Sequence, residues 1–291
     1  MISLILNIVA DIKPGYISDT FFSFNQIVAI GLKKGFESLG HTINIVNVRD
    51  PDKDLVPKCD HIIVTSGWSM NRIKPNDIYK RRLRRSCSGL LTVYLDADYA
   101  QYDEWFDRVF TVVRPLPNSS SKYIYAGWGA DPDLFYIQPG PKKIFVDSYL
   151  TTSSGKFLEE EFSKAFKLAN IPLIQPIRYY SDGRVPWSAM RSFMLQCSFF
   201  CCTQGKGESG LNKIEACYCG MPLLIHKDFY NPRTESSLEC FLWSDPEDLA
   251  QYLRDFPADP ERRESIRAKA LRHTWVKSAK RILEGLNADE L

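Results

Sequence analysis

Histidine is scarce, the two signs of charge cancel, and no apolar run is long enough to span a bilayer. Each shortage removes a class of function. The four histidines, His41, His61, His226 and His273, sit in separate segments, and they form neither a triad pattern nor a metal-ligand pair. With 37 basic and 35 acidic residues the net charge is +2. The signs also balance within each half, so charge alone argues for neither nucleic acid nor a membrane surface. The apolar opening Met1–Ala10 lacks a basic leader and meets Asp11, so it is expected to be a buried first strand, not a signal peptide or span. The eight cysteines contain no C-x-x-C pair, which argues against a zinc or redox motif. Cys201 and Cys202 lie in an apolar run, and Cys217 and Cys219 in a predicted helix. Reduced core cysteines in a soluble cytoplasmic protein (host cytoplasm, if the source is viral) are the expectation.

What is present is an alternation of strand and helix patterns. Thr20–Leu39 carries apolar residues at helical spacing and stops at Gly40. Strand patterns follow at 43–48, 62–65, 90–95 and 108–113, with a polar helix at 76–85. Short aliphatic strands of this kind suit a parallel sheet covered on both faces. Turn-rich sequence from Arg114 to Pro141 reads as a connection between domains. The alternation then restarts: strands at 143–146, 173–177, 198–202 and 222–225, helices at 156–169, 187–196 and 211–219, then helices at 246–255 and 260–286. The expected organisation is an N-terminal Rossmann-like domain over residues 1–125, a second over 126–270, and a C-terminal helix over 271–291 packing back on the first. Two doubly wound α/β domains in series are expected to face a central cleft.

Gly205, Gly207 and Gly210 form a literal G-x-G-x-x-G behind the apolar run Ser198–Cys202. A dinucleotide fingerprint has to open a βαβαβ unit. Here the following helix has room for nine residues before Gly220-Met-Pro222, and one clear strand is visible beyond it. The glycines therefore end a sheet. Backbone amides at a helix N-terminus still make an anion site, so a diphosphate remains the natural ligand. Glu215, one turn into the helix, is a carboxylate suited to a ribose diol, or to its own helix's N-terminal amides.

The stretch "GLNKIEACYCGMPLLI" resembles the donor motif of GT-B glycosyltransferases, whose helix typically reads Gly-Leu-Pro-Leu-Leu-Glu-Ala before a Gly-Thr-Pro and a strand. Gly210, Leu211, Glu215, Ala216, Gly220 and Pro222 stand in register. "GWGADPDLF" is similar to the turn that leads such chains into their second domain, and "DPEDLAQYLRDF" with "DPERRESIRAKALRHTW" resembles their C-terminal end. The resemblance implies the GT-B fold, a nucleotide-diphosphate sugar (UDP-sugar favoured) held by the second domain, and an acceptor met by the first. It places Gly207, Ser209, Gly210 and Glu215 at the donor. Retaining family-4-type members carry another Glu eight positions before the ribose Glu. Here Glu208 precedes Glu215 by seven, and Gly207 holds the family's position. For the cations that meet the diphosphate, Lys156 is the first candidate, with Lys213 and Arg178 behind it.

"LLTVYLDADY" is also similar to the strand that ends near the catalytic Asp of phage DNA β-glucosyltransferases. Asp98, with Asp96 as neighbour, is therefore the candidate base; Asp11 and Asp19 are alternatives. A base at Asp98 implies inversion, whereas Glu208 against the donor sugar implies retention. Asp96-Ala-Asp98 matches D-x-D formally, but that metal motif belongs mainly to another glycosyltransferase fold, so no metal residue is assigned and a divalent ion stays open. Lys80-Arg-Arg-Leu-Arg-Arg85 with Arg72 and Lys74, near Trp68 and Tyr79, suits DNA carrying a hydroxylated base. Asp19, Trp68, Arg72, Arg81 and Arg82 are the acceptor-side candidates. Lipid, polysaccharide or small-molecule acceptors, a sugar-nucleotide epimerase and a silent binder are the alternatives. Oligomeric state is open, a monomer being compatible.

Overall fold

The computed structural model describes residues 3–10, 12, 24–48, 55–65, 77–95, 105–138, 143–146, 153–171, 187–202, 210–256 and 260–287. The chain divides into two units, Met1–Gly129 with His273–Leu291, and Ala130–Arg272. The division at 129/130 falls inside the turn-rich passage, and the C-terminal segment returns to the first unit.

The first unit is built on a parallel sheet of β1 (Ile5–Ala10), β2 (Thr42–Asn47), β3 (His61–Thr65), β4 (Leu91–Leu95), β5 (Arg108–Thr111) and β6 (Tyr123–Tyr125). The spatial order is β2-β1-β3-β4-β5-β6. Helices α1 (Phe24–Glu37) and α2 (Asp77–Ser86) connect the early strands, and α9 (Trp275–Leu286) returns from the chain's end. Side chains alternate across the pleat. Val9, Val46, Val64, Val93 and Val109 form one face and pack with Tyr79 and Leu83 of α2. Phe110, which follows Val109, meets Gly285 of α9 on the other face, where α9 also packs against α1. A cross-strand amide pair lies within this apolar sheet: Asn7 and Asn44 are in register on β1 and β2. The Asn44 amide donates to Asn7 Oδ1 at 3.0 Å, and Asn7 donates to the Pro57 carbonyl at 2.7 Å. Buried amides are tolerated when so satisfied.

Trp275 fastens the returning helix. Cβ atoms placed on Gly31 or Gly35 of α1, or on Gly129, would overlap the Trp275 ring or backbone. Only hydrogen at these three positions leaves room for the close approach. The ring also meets Trp128 edge-on at 6.3 Å, and Trp128 meets Tyr94 at 5.4 Å. Tyr94 and Ser278 both donate to the Gly127 carbonyl, at 2.5 and 3.0 Å.

Among the described residues the second unit has four parallel strands, β7 (Lys143–Val146), β8 (Cys197–Cys201), β9 (Leu223–His226) and β10 (Cys240–Trp243), in the order β10-β9-β8-β7. Its helices are α3 (Ser153–Leu168), α4 (Trp187–Met194), α5 (Leu211–Tyr218), the single turn α6 (Pro232–Glu235), α7 (Pro246–Asp255) and α8 (Pro260–Ala270). The strand expected at 173–177 lies outside the described residues.

The structure corrects three expectations. β6 forms inside the turn-rich passage. Two strands, not one, follow the glycines, because β10 pairs in register with β9. The expected helix 260–286 is two helices, since Thr274 caps α9 by accepting from the Lys277 amide at 3.3 Å, a side-chain cap that starts a new helix.

Replacing Trp275 by Ala removes the largest contact of α9 and leaves a cavity against the three glycines. Urea denaturation of Trp275→Ala is expected to show a loss of about 3–5 kcal/mol; a loss below about 1 kcal/mol would contradict this packing.

Candidate active site

In a parallel sheet, strand C-terminal ends and the helix N-termini that follow them share one edge. In the second unit that edge carries the N-terminus of α5, behind the glycine stretch. Gly210 is its N-cap, with φ −74° and ψ 125°, and as a glycine it offers no side-chain cap of its own. Nearly all of α5 is buried: Leu211, Lys213, Ile214, Glu215, Ala216, Cys217 and Tyr218. A helix start without a capping side chain presents its amides and positive dipole end to an anion.

The C-terminal end of α5 is held by polar contacts. Gly220 has φ 73°; Met221 donates to the Ala216 carbonyl at 3.1 Å and Gly220 to that of Cys217 at 3.0 Å. These are the paired bonds of a Schellman turn. From α8, Arg263 donates to the Cys219 carbonyl at 2.8 Å and Arg267 to that of Tyr218 at 2.7 Å. Arg267 also reaches the Phe135 carbonyl at 2.6 Å, tying the 132–138 turn to the same helix end. Guanidinium groups here complement the negative end of the dipole.

Lys213 lies in the first turn of α5, where the dipole opposes a cation. Its side chain is 5% exposed and that of its partner, Glu235, is 1% exposed; the ammonium donates to Glu235 Oε1 at 2.5 Å. The other carboxylate oxygen accepts from the Asn231 amide at 2.8 Å. Lys213, treated in the sequence as a cation for phosphate, has its charge balanced by Glu235 and so anchors α5 to the segment after β9. The family helix pattern carries Leu at this position.

His226 ends β9. Its Nδ1 accepts from the Asp228 amide at 3.3 Å, so the ring proton belongs on Nε2, which faces the Ser244 carbonyl at 3.3 Å. Trp243 (4.8 Å), Phe229 (5.8 Å) and Phe157 (6.0 Å) surround the ring. Phe157 follows Lys156, so the first turn of α3 stands at the end of β9. The thiols nearby are poor nucleophiles: burial pushes Cys219 up to about 12 and raises Cys217 as well.

Of the predicted donor residues, Gly210, Lys213 and Glu215 are brought together on α5. Lys156 lies in α3, its side chain outside the described residues. Gly207, Glu208, Ser209 and Arg178 lie outside them too, as do Asp96, Asp98, Asp11, Asp19, Trp68, Arg72 and Lys74. Asp96 follows Leu95, the last residue of β4. On α2, Arg81 is exposed and Arg82 half-buried. Within the basic cluster, Lys80 lies 3.0 Å over the Trp105 ring, and Arg84 forms a bidentate pair with Asp107 at 2.5 and 2.6 Å. Glu235, Arg263 and Arg267 were not anticipated. The four-residue spacing of the arginines on α8 was their only signal.

Residues 181–273 match the family model of the glycosyl transferases group 1. Among curated protein sequences none matches the chain. Three solved structures share the fold over its whole length, each at 13% identity. A glycosyltransferase from Rickettsia africae ESF-5 aligns over 98% of both chains with a TM-score of 0.62. AviGT4, involved in avilamycin A biosynthesis, aligns over 98% of this chain and 97% of its own with a TM-score of 0.67. HepE from Anabaena, solved with UDP and glucose, aligns over 98% and 100% with a TM-score of 0.58. The fold is GT-B. The segment that matches the glycosyl transferases group 1 runs from α4 through α8 of the second unit. No described helix is long and apolar enough to cross a membrane.

Removing one half of the buried ion pair leaves the other charge unpaired. Glu235→Ala is expected to cost about 3–5 kcal/mol by urea denaturation, and Lys213→Met with Glu235→Leu to recover most of it. Equal losses in the single and double variants would contradict the pairing.

Proposed function

We propose that the protein transfers a sugar from a nucleotide diphosphate, UDP favoured, to an acceptor hydroxyl. The supporting observation is the α5 N-terminus: it follows the glycine stretch in sequence, its N-cap is a glycine, and the buried carboxylate Glu215 comes one turn later. Amides of the 205–212 backbone would meet the diphosphate and stabilise the departing nucleotide. Glu215 would accept from the ribose hydroxyls. Lys156, in the first turn of α3, is the first candidate to add positive charge, with Arg178 a second. Lys213 acts indirectly, through Glu235, on the position of α5. That HepE is solved with UDP supports the choice of nucleotide. Asp98, just past β4, is proposed as the base that takes the acceptor proton, with Asp96 beside it; Glu208 is assigned to the sugar side of the donor.

For the acceptor, DNA carrying a hydroxylated base is the first to be tested. Arg81 and Arg85, both exposed on α2, supply the phosphate contacts. The pairing of Lys80 and Arg84 leaves this surface smaller than the cluster of basic residues suggests. It therefore also suits a short anionic acceptor.

Two measurements check the proposal. Calorimetric titration with UDP-, GDP- and ADP-sugars is expected to show micromolar to millimolar binding of a UDP-sugar. Glu215→Ala should weaken it roughly 10- to 100-fold, the loss of a charged hydrogen-bonding group; no binding of any sugar nucleotide would contradict the donor assignment. Mass spectrometry of hydroxymethylated duplex DNA, glycolipid and oligosaccharide after incubation then identifies the acceptor. If DNA gains one sugar mass, Arg81→Ala with Arg85→Ala should reduce the salt dependence of DNA binding by about two phosphate contacts. A mass gain on another acceptor alone, or on none, would reject the DNA assignment.

A further inference from the structure

Cys59, two residues before β3, and Cys87, immediately after α2, are joined by an isolated parallel β-bridge. The Cys59 amide donates to the Ser86 carbonyl at 3.0 Å and the Ser88 amide to that of Cys59 at 3.1 Å. Bridge partners on adjacent strands are about 4.8 Å apart, within the span a disulfide accepts. The Cys59 thiol donates to the Ser86 carbonyl at 3.6 Å, and the Cys87 thiol to those of Asp60 and Leu90 at 3.4 and 3.3 Å. Cys59 is 6% exposed and Cys87 half-buried, so one sulfur is open to a small reagent and the other waits behind it. The neighbouring Cys59 thiol, outweighing burial and helped by the Gly89 amide and the Arg84 guanidinium, lowers the Cys87 thiol to about 7. The same contact, with burial, raises Cys59. Burial alone raises Cys201, and it is the main cause of the rise at Cys217, Cys219 and Cys240.

We propose that Cys59 and Cys87 are a redox-modification site: a hydroperoxide converts the dithiol to an intramolecular disulfide, and a small thiol restores it. The Cys87 thiolate attacks the peroxide, the O–O bond breaks, and a sulfenic acid forms with release of hydroxide (water once protonated). The Cys59 sulfur then attacks Cys87, its proton leaving with the sulfenic hydroxyl as a second water. In sum, two thiols and one hydrogen peroxide give one disulfide and two waters. The bond closes a loop containing β3 and α2 and pins the C-terminal end of α2 to the entry of β3. It lies at the N-terminal edge of the sheet, the opposite edge from the end of β4, so the modification acts on the helix that carries Arg81 and Arg85 and leaves the donor unit untouched.

The test treats the native, reduced protein with hydrogen peroxide, quenches it in acid, alkylates it under denaturing conditions and maps it by mass spectrometry. The expected result is loss of the mass of two hydrogens and a Cys59–Cys87 cross-linked peptide, reversed by dithiothreitol. Cys59→Ser should accumulate a Cys87 sulfenic acid trapped by dimedone, and Cys87→Ser should leave Cys59 unreacted. Full alkylation of both cysteines, a cross-link to a different cysteine, or oxidation of Cys59 at the wild-type rate in Cys87→Ser overturns the proposal. If either variant fails to fold, the wild-type cross-link map decides alone.

Discussion

Two guanidinium groups hold the helix on which the function depends. Arg263 and Arg267 take the last carbonyls of α5, and the Schellman turn at Gly220 takes those just before them. Hydrogen bonds from a charged donor contribute about 1.5–3 kcal/mol each, and here they fall at one end of a single short helix. That asymmetry matters chemically. The C-terminal end is bonded by this protein's own groups, while the N-terminal end begins at a glycine that carries no side chain to cap it. The helix can therefore be rigid and still offer its amides to a ligand.

The buried Lys213–Glu235 pair belongs to the same logic. An ammonium in the first turn of α5 works against the helix dipole, so it persists only with a carboxylate beside it. Glu235 is itself positioned by the Asn231 amide, at the start of the turn α6 that it ends. The pair thus fixes the distance between the glycine-loop helix and the segment leaving β9. Apolar side chains of similar volume would hold the same distance at no greater cost. In the first unit the comparable fastening is largely steric: Trp275 lies where three glycines allow it, and Arg281 of α9 adds a bond to the Ala126 carbonyl at 3.0 Å.

Much of this was legible in the sequence, for reasons that can be stated. Strands buried on both faces announce themselves as aliphatic runs, so β1, β3, β4 and β8 were visible. The short helix between Gly210 and Gly220 was fixed by its own punctuation, and with it the position of Glu215. What could not be read depends on distant partners. Lys213 looks like an available cation until Glu235, 22 residues away, is placed against it. Lys80 and Arg84 look like part of a phosphate-binding run until Trp105 and Asp107 take them. β10 was missed because Cys240–Trp243 is a short segment just ahead of a helical pattern; pairing with β9 makes it a strand. Cys59 and Cys87 likewise carry no motif, since the bridge that joins them is formed by the fold.

The central claim is that the α5 N-terminus receives the nucleotide's diphosphate. Amide hydrogen exchange with and without UDP tests it most directly. The account predicts that UDP slows exchange most strongly across residues 203–213, where the glycine stretch meets α5. Saturating UDP that leaves this segment unprotected, or protects only residues elsewhere in Ala130–Arg272, would contradict it.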